Sequence, residues 1–357
     1  MTSTTDATVK IHADRHGWNS LLSVVIVATL AALAAGPVRS GAADPEAPVN
    51  WGQWQHLAGV VDAGGPRSDG NLVVMASGRL YLVSPEGAIS PFANGPDGYT
   101  GAPDSEQYLV VVPAAPAPPA QPAGCSFAPD DVFILDLTSP PGIARVDAAG
   151  RASRFATIPD VDGLWGIALD TVGRFDYRLL VAGTSQNRTS VLAVDCQGGV
   201  TTITDAAPTM EGGFVVAPAG FGQFGGDLIA ADELGGQVWA IGPDGAARVV
   251  LTPDLPTGGD TGVESLGFVP PGFSAGGVAY LADRGTPDNP FPGTDSVLRL
   301  SSQALVAAGV QDGDLLVATE GGGLTVAIHC ESTCAATLAA PGPAGGHIEG
   351  HITLVVG

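Results

Sequence analysis

The sequence predicts an all-β chain built from repeated antiparallel hairpins. Three observations carry that prediction. The 357 residues include 51 glycines and 29 prolines while Asp, Glu, Lys and Arg together make up only 14%, a balance that suits short strands and tight turns better than long surface helices. Hydrophobic residues reach 45%, enough for a sizeable core in one domain of about 300 residues. A strand–turn–strand unit recurs along most of the chain.

Residues 1–43 are set apart from that pattern. Arg15 and His16 precede an apolar run from Leu21 to Ala35, followed by small residues up to Ala42 and Ala43, the layout of a secretory signal with cleavage near 43. A fifteen-residue run is short for a membrane span, which makes an uncleaved anchor the weaker reading. The expected mature chain, 44–357, is then secreted, extracellular or periplasmic. Four cysteines, Cys125, Cys196, Cys330 and Cys334, suit such a compartment. Cys330 and Cys334 flank "EST" and can close a hairpin, leaving Cys125 for Cys196, with a CxxxC metal site as the rival.

The repeat is clearest in "GGDLIAADELGGQVWAIGPDGAARVVL" at 225–251: an apolar run ending in acid, a Gly turn, an alternating strand, a Pro-Asp-Gly turn and another strand. Related hairpins occur at 71–92, 131–155, 177–203, 278–300 and 314–338. A second repeat precedes most of them, an apolar strand led by a carboxylate: "EQYLVVVP" from Glu106, "DGLWGIAL" from Asp162, "EGGFVVAP" from Glu211, "ESLGFVPP" from Glu264 and "EGHITLVV" from Glu349. These read as the innermost strands of successive β-propeller blades. Six blades fit the count, with 314–338 in a degenerate blade; five, one of them elaborated, is the alternative. The strand from Glu349 has no hairpin after it and the 71–92 hairpin no carboxylate strand before it. Pairing of the C-terminal strand with the N-terminal blade would therefore close the ring. "PAAPAPPAQPAG" at 113–124 reads as an exposed loop and "SSQALVAAGV" at 301–310 as a short helix.

Blade texture such as "LIAADELGGQVWAIGPDG" resembles the NHL-repeat, gluconolactonase and strictosidine-synthase-like group of β-propellers across nearly the whole mature chain. The resemblance implies a divalent metal where the inner strands begin. That family's ligand set includes asparagines, and none stands at the matching positions here.

The residues lead to the same place. Equivalent first positions of inner strands converge at one channel mouth, so Glu106, Asp162, Glu211, Glu264 and Glu349 form an expected carboxylate collar, with Asp136, Asp232, Asp283 and Glu320 returning to the same face. Clustered carboxylates raise one another's pKa unless a cation joins them, and Ca²⁺ or another hard divalent cation suits an all-oxygen set. The bland alternative is a ring of acids capping strand starts around water. In an extended segment His347 and His351 share a face with Glu349, which offers them as catalytic bases or metal ligands, or as polar residues on a wetted wall. Trp165, Phe214 and Phe268 read as packing between blades.

A net charge of −22 and a single lysine, Lys10, argue against nucleic-acid and anionic-membrane partners. No GxSxG elbow, P-loop or dinucleotide fingerprint is present. The leading function is an exported binding module that takes a small molecule or a protein at the acidic mouth. The alternatives are a metal-dependent lactonase or esterase of the gluconolactonase type, with His351 or His347 moving protons, and a redox or synthase-like propeller with an organic cofactor.

Overall fold

The computed structural model describes residues 50–357 apart from 116–118 and 187. The segment 1–43, expected as a secretory signal, lies outside the described residues, as does part of the Pro-rich loop.

Twenty-four strands form six four-stranded antiparallel sheets. A first strand, β1 (Gly52–His56), is set aside by the chain before regular blades begin. Blade I holds β2 (Val60–Gly64), β3 (Leu72–Ala76), β4 (Arg79–Val83) and β5 (Ile89–Phe92), and blade II holds β6 (Leu109–Val111), β7 (Val132–Asp136), β8 (Gly142–Val146) and β9 (Ala152–Thr157). Blade III holds β10 (Gly163–Leu169), β11 (Leu179–Ser185), β12 (Arg188–Val194) and β13 (Val200–Ala207). Blade IV holds β14 (Glu211–Val216), β15 (Leu228–Asp232), β16 (Gln237–Ile241) and β17 (Ala247–Leu251).

The last two blades are interleaved. After β18 (Val263–Phe268) come the hairpin β19 (Gly277–Asp283) and β20 (Ser296–Ser301), the helix α1 (Ser302–Ala307), then β21 (Leu315–Thr319), β22 (Thr325–Cys330), β23 (Cys334–Ala340) and β24 (Ile348–Val356). Blade V is β18-β21-β22-β23 and blade VI is β24-β19-β20-β1. The two ends of the described chain therefore share one sheet and close the ring. The hairpin that completes this sheet is 277–301, however, and not 71–92, because β2 already supplies the inner strand of blade I. The 314–338 hairpin belongs to a full blade, pairing with β18.

Local chemistry explains these elements. The turn between β3 and β4 places Ser77 and Gly78 at φ 46° and 67°, the left-handed pair that matches the twist of a two-residue hairpin. Strands in the middle of blades, such as β3 "LVVMA", are buried on both faces, while an outer strand such as β9 "ASRFAT" is largely exposed. The expected helix at 301–310 forms as α1, its first turn capped by the Ser301 hydroxyl accepting from the Ala304 amide.

The core is a set of wedges between adjacent blades. Met75 of blade I packs with Val132 and Ile134 of blade II, and Phe133 on the opposite face of β7 packs with Leu164 and Val181 of blade III. Both cysteine pairs are bonded: Cys125 with Cys196, their Cα atoms 5.9 Å apart, and Cys330 with Cys334. The inner strands β2, β6, β10, β14, β18 and β24 neighbour one another in ring order and enclose the channel. Among the described residues no helix is long and apolar enough to cross a membrane.

Candidate functional site

The acidic collar forms where the inner strands begin. Glu106, Glu211, Glu264 and Glu349 line one cavity of about 230 Å³, joined by Tyr108, Glu233, Asp260 and Glu320. Four of the five expected collar residues thus converge.

Asp162 does not join them. It stands exposed just before β10 and accepts from the Gln186 amide at the rim of blade III. The inner strands bulge near this end, and in blade III the bulge position that Glu264 holds in blade V is occupied by Trp165. The indole is half-buried, its Nε1 donating to Thr184 Oγ1 at 2.7 Å. With Leu137 and Leu164 it walls a second cavity of about 230 Å³ that shares Glu106, Tyr108 and Glu211 with the first. Trp165 is therefore a wall of the mouth and not only packing between blades.

Around the collar, hydrogen bonds ration a few protons among many acids. The Tyr108 hydroxyl lies 2.9 Å from Glu264 Oε1 and 2.8 Å from Glu349 Oε2. One hydroxyl donates one proton, so one of these carboxyls must carry its own. Glu264, fully buried and beside Glu349 and Glu211, is held well above the ordinary carboxyl range and takes that part. Arg284 donates to Glu106 and, at 3.1 Å, to Glu349. The proximity of Glu349, then burial, still raises Glu106. Burial and the neighbouring acids Glu106, Glu233 and Glu349 push Glu211 up to about 8.

His347 lies in this acidic shell. Its Nε2 is 3.0 Å from Glu320 Oε1 and 3.3 Å from Glu349 Oε1. Burial opposes the charge, but hydrogen bonds to these two carboxylates outweigh it and raise the ring to about 10. Its Nδ1 is buried with no partner. Ligand atoms of His347, Glu320 and Asp260 all lie within 4.8 Å of one another.

His351 is elsewhere. Gly350 adopts φ 67°, and a bulge in β24 opposite Leu281 interrupts the alternation, so His351 leaves the face that Glu349 occupies. The ring reaches across the channel towards β10 and β14. Its Nδ1 donates to Asp62 Oδ2 at 3.0 Å, and its Nε2 faces the carbonyls of Ile167 at 3.0 Å and Phe214 at 3.1 Å. Every partner is an acceptor, so both nitrogens carry protons and the ring is an imidazolium paired with a buried carboxylate. It has no lone pair for a metal and no vacancy for a substrate proton, which removes it from the catalytic and ligand candidates.

The returning acids divide. Glu320 reaches the cavity, while Asp283 accepts from the His347 amide at 2.8 Å and from Thr294 just behind it. Asp136 pairs with Arg154 and Asp232 caps its own turn through the Gly235 amide. Sequence reading passed over Tyr108, Glu233, Asp260 and Arg284. Tyr108 stands two positions after Glu106 in an extended segment leading into β6, so a period-two count finds it; Glu233 and Asp260 sit in turns, where no periodicity points inward.

Fold and site together define a six-bladed β-propeller with an acidic mouth at one end of its channel. No family model matches the chain, and no curated protein matches it. Solved structures with this fold include virginiamycin B lyase from Staphylococcus aureus, 12% identical over 83% of this chain and 75% of that one at a TM-score of 0.46. A calcium-binding protein, regucalcin, from Agrobacterium tumefaciens is 13% identical over 68% and 74% at 0.36. A protein assigned to the gluconolactonase family is 15% identical over 71% and 92% at 0.36.

Proposed function

We propose that the mature chain is an exported binding module that holds a divalent cation, Ca²⁺ in the first instance, at the acidic mouth and through it a small organic ligand. The observation that carries this reading is an imbalance: seven carboxyl groups line one small cavity, and Arg284 and His347 are the cationic side chains in contact with them. The donor set fits a hard cation, since oxygens dominate and Asp260 and Glu320 offer atoms close enough to share an ion. Carboxyls forced into protonated or elevated states by one another would gain most from a cation. The adjoining cavity walled by Trp165, Leu137 and Leu164 gives the ligand's apolar part a surface, with Glu106 and Glu211 at its acidic side. Two disulfides support export.

Hydrolysis of lactones or esters is the second reading. It needs a proton acceptor beside the cation, and Glu211, at about 8, is the group whose range favours it. His351 has no free nitrogen and His347 holds its proton, so neither histidine supports the enzyme over the binding module.

Calorimetric titration of EDTA-washed protein with CaCl₂, repeated for Glu211→Gln and Glu320→Gln, tests the proposal. One saturable ion per chain, weakened at least tenfold in either variant, is expected. Because Glu211 must lose its proton, affinity should rise from pH 6 to pH 9 and level off above its value of about 8. No saturable binding at any of these pH values would sink the reading; a lactone panel with and without EDTA then decides turnover.

A further inference from the structure

The two ends of the channel differ in kind. Where the inner strands finish, the channel opens into a cavity of about 330 Å³, larger than the acidic one. Its wall is formed by the half-buried side chains of Val110, Val111, Val215, Val216, Phe268 and Leu354. No Asp, Glu, Lys or Arg lines it, in a chain of net charge −22. Each of these side chains also packs against a core between blades, and the part left exposed makes this mouth apolar where the opposite one is acidic.

The floor sets the chemistry of an occupant. It is the His351 ring, whose nitrogens are already committed to Asp62, Ile167 and Phe214. The Thr353 hydroxyl is likewise committed to the Ala63 carbonyl. The side chains of the floor thus offer a polar or charged head group no free partner, and recognition rests mainly on shape and apolar contact. Residues of all six inner strands contribute to the lining, from Ala63 in β2 to Leu354 in β24. The site is therefore a closed ring and not a groove, which suits a small molecule and excludes an extended peptide lying across it.

We propose that this mouth binds a compact, uncharged apolar molecule, aromatic or branched-alkyl, of roughly ten to seventeen non-hydrogen atoms, a size set by a cavity at the small end of ligand pockets. The site is separate from the acidic mouth and does not depend on a cation.

The test is a fluorescence titration of the purified protein with N-phenyl-1-naphthylamine, a neutral dye that brightens in apolar surroundings, in CaCl₂ and in EDTA. Saturation at one dye per chain, equal in the two buffers, is expected. Val216→Glu should weaken it at least tenfold, and Val216→Thr, which keeps the volume and the fold, several-fold. Leu338→Glu, on the outer strand of blade V where Leu338 is 56% exposed, should leave it unchanged. Absence of saturation, several dyes per chain, loss of the signal in EDTA, or equal affinities for wild type and Val216→Thr would each overturn the proposal.

Discussion

Replacing His351 by leucine gives the sharpest test of how the ring is held together. Its imidazolium and the partner Asp62 join five of the six blades: β24 carries His351, β2 carries Asp62, the Ile167 and Phe214 carbonyls belong to β10 and β14, and the Leu109 amide of β6 donates to Asp62 Oδ2. His351→Leu leaves Asp62 as a buried anion without its counter-charge, about 3–5 kcal/mol when one partner of such a pair is removed. Backbone amides of Ala63, Leu109 and residue 351 still bond the carboxylate, which favours the lower end. Two carbonyls lose their donor at about 1 kcal/mol each, so the total is about 5 kcal/mol. With an unfolding entropy of about 0.6 kcal/mol/K for a domain of about 300 residues, Tm should fall by about 8 °C in a calorimetric or circular-dichroism melt. Removing both partners, in Asp62→Leu/His351→Leu, should cost at least about 2 kcal/mol less than the sum of the single changes. A melt within about 2 °C of wild type, or strict additivity, would refute the hub.

The same pair carries a pH signature. Burial opposes the charge on His351, but Asp62 and the two carbonyls outweigh it and raise the ring above its ordinary value. A base whose pKa is raised on folding contributes its full stability below the unfolded value of about 6.5 and loses it as pH climbs through the folded one. The Tm difference between wild type and His351→Leu should therefore be largest near pH 5–6 and narrow towards alkaline pH.

Two further outcomes follow from the geometry. Gly350→Ala should destabilise by more than about 2 kcal/mol, since φ is 67° and an added Cβ would come 2.4 Å from Asp62 Oδ1; a melt unchanged from wild type would count against the tight packing of β24 on β2. Replacing Cys125 and Cys196 by alanine opens a crosslink across a separation of 71 residues and should cost about 4 kcal/mol, whereas the Cys330–Cys334 pair, four apart, should cost about 2; urea midpoints showing the reverse order would contradict it.

The hairpins were legible because each carries its own turn and its own alternation, and these are local. Which inner strand each hairpin joins is not local. The pairs at 277–301 and 315–330 have the same strand–turn–strand texture, and only packing after α1 sends the second back to β18 while the first waits for β24. Blade I escaped for a related reason: its inner strand "VVDAG" carries the carboxylate third and not first, so a search for leading acids misses it. In the collar, a strand start predicts convergence wherever the side chain after it continues inward, as at Glu106 and Glu211, and fails at Asp162, where the inward position falls to Trp165. The extrapolation from Glu349 to His351 failed at one residue, Gly350, whose positive φ is invisible to a period-two count.

A single residue, Gly350, separates Glu349 in the acidic cavity from His351 on the floor of the apolar one, and a single step separates Tyr108, just before β6, from Leu109. The His351–Asp62 pair occupies that boundary, with nearly all its hydrogen-bonding capacity spent on five blades. The propeller thus carries two cavities on either side of one buried ion pair, and any communication between them would run through β14, β18 and β24, the strands that line both.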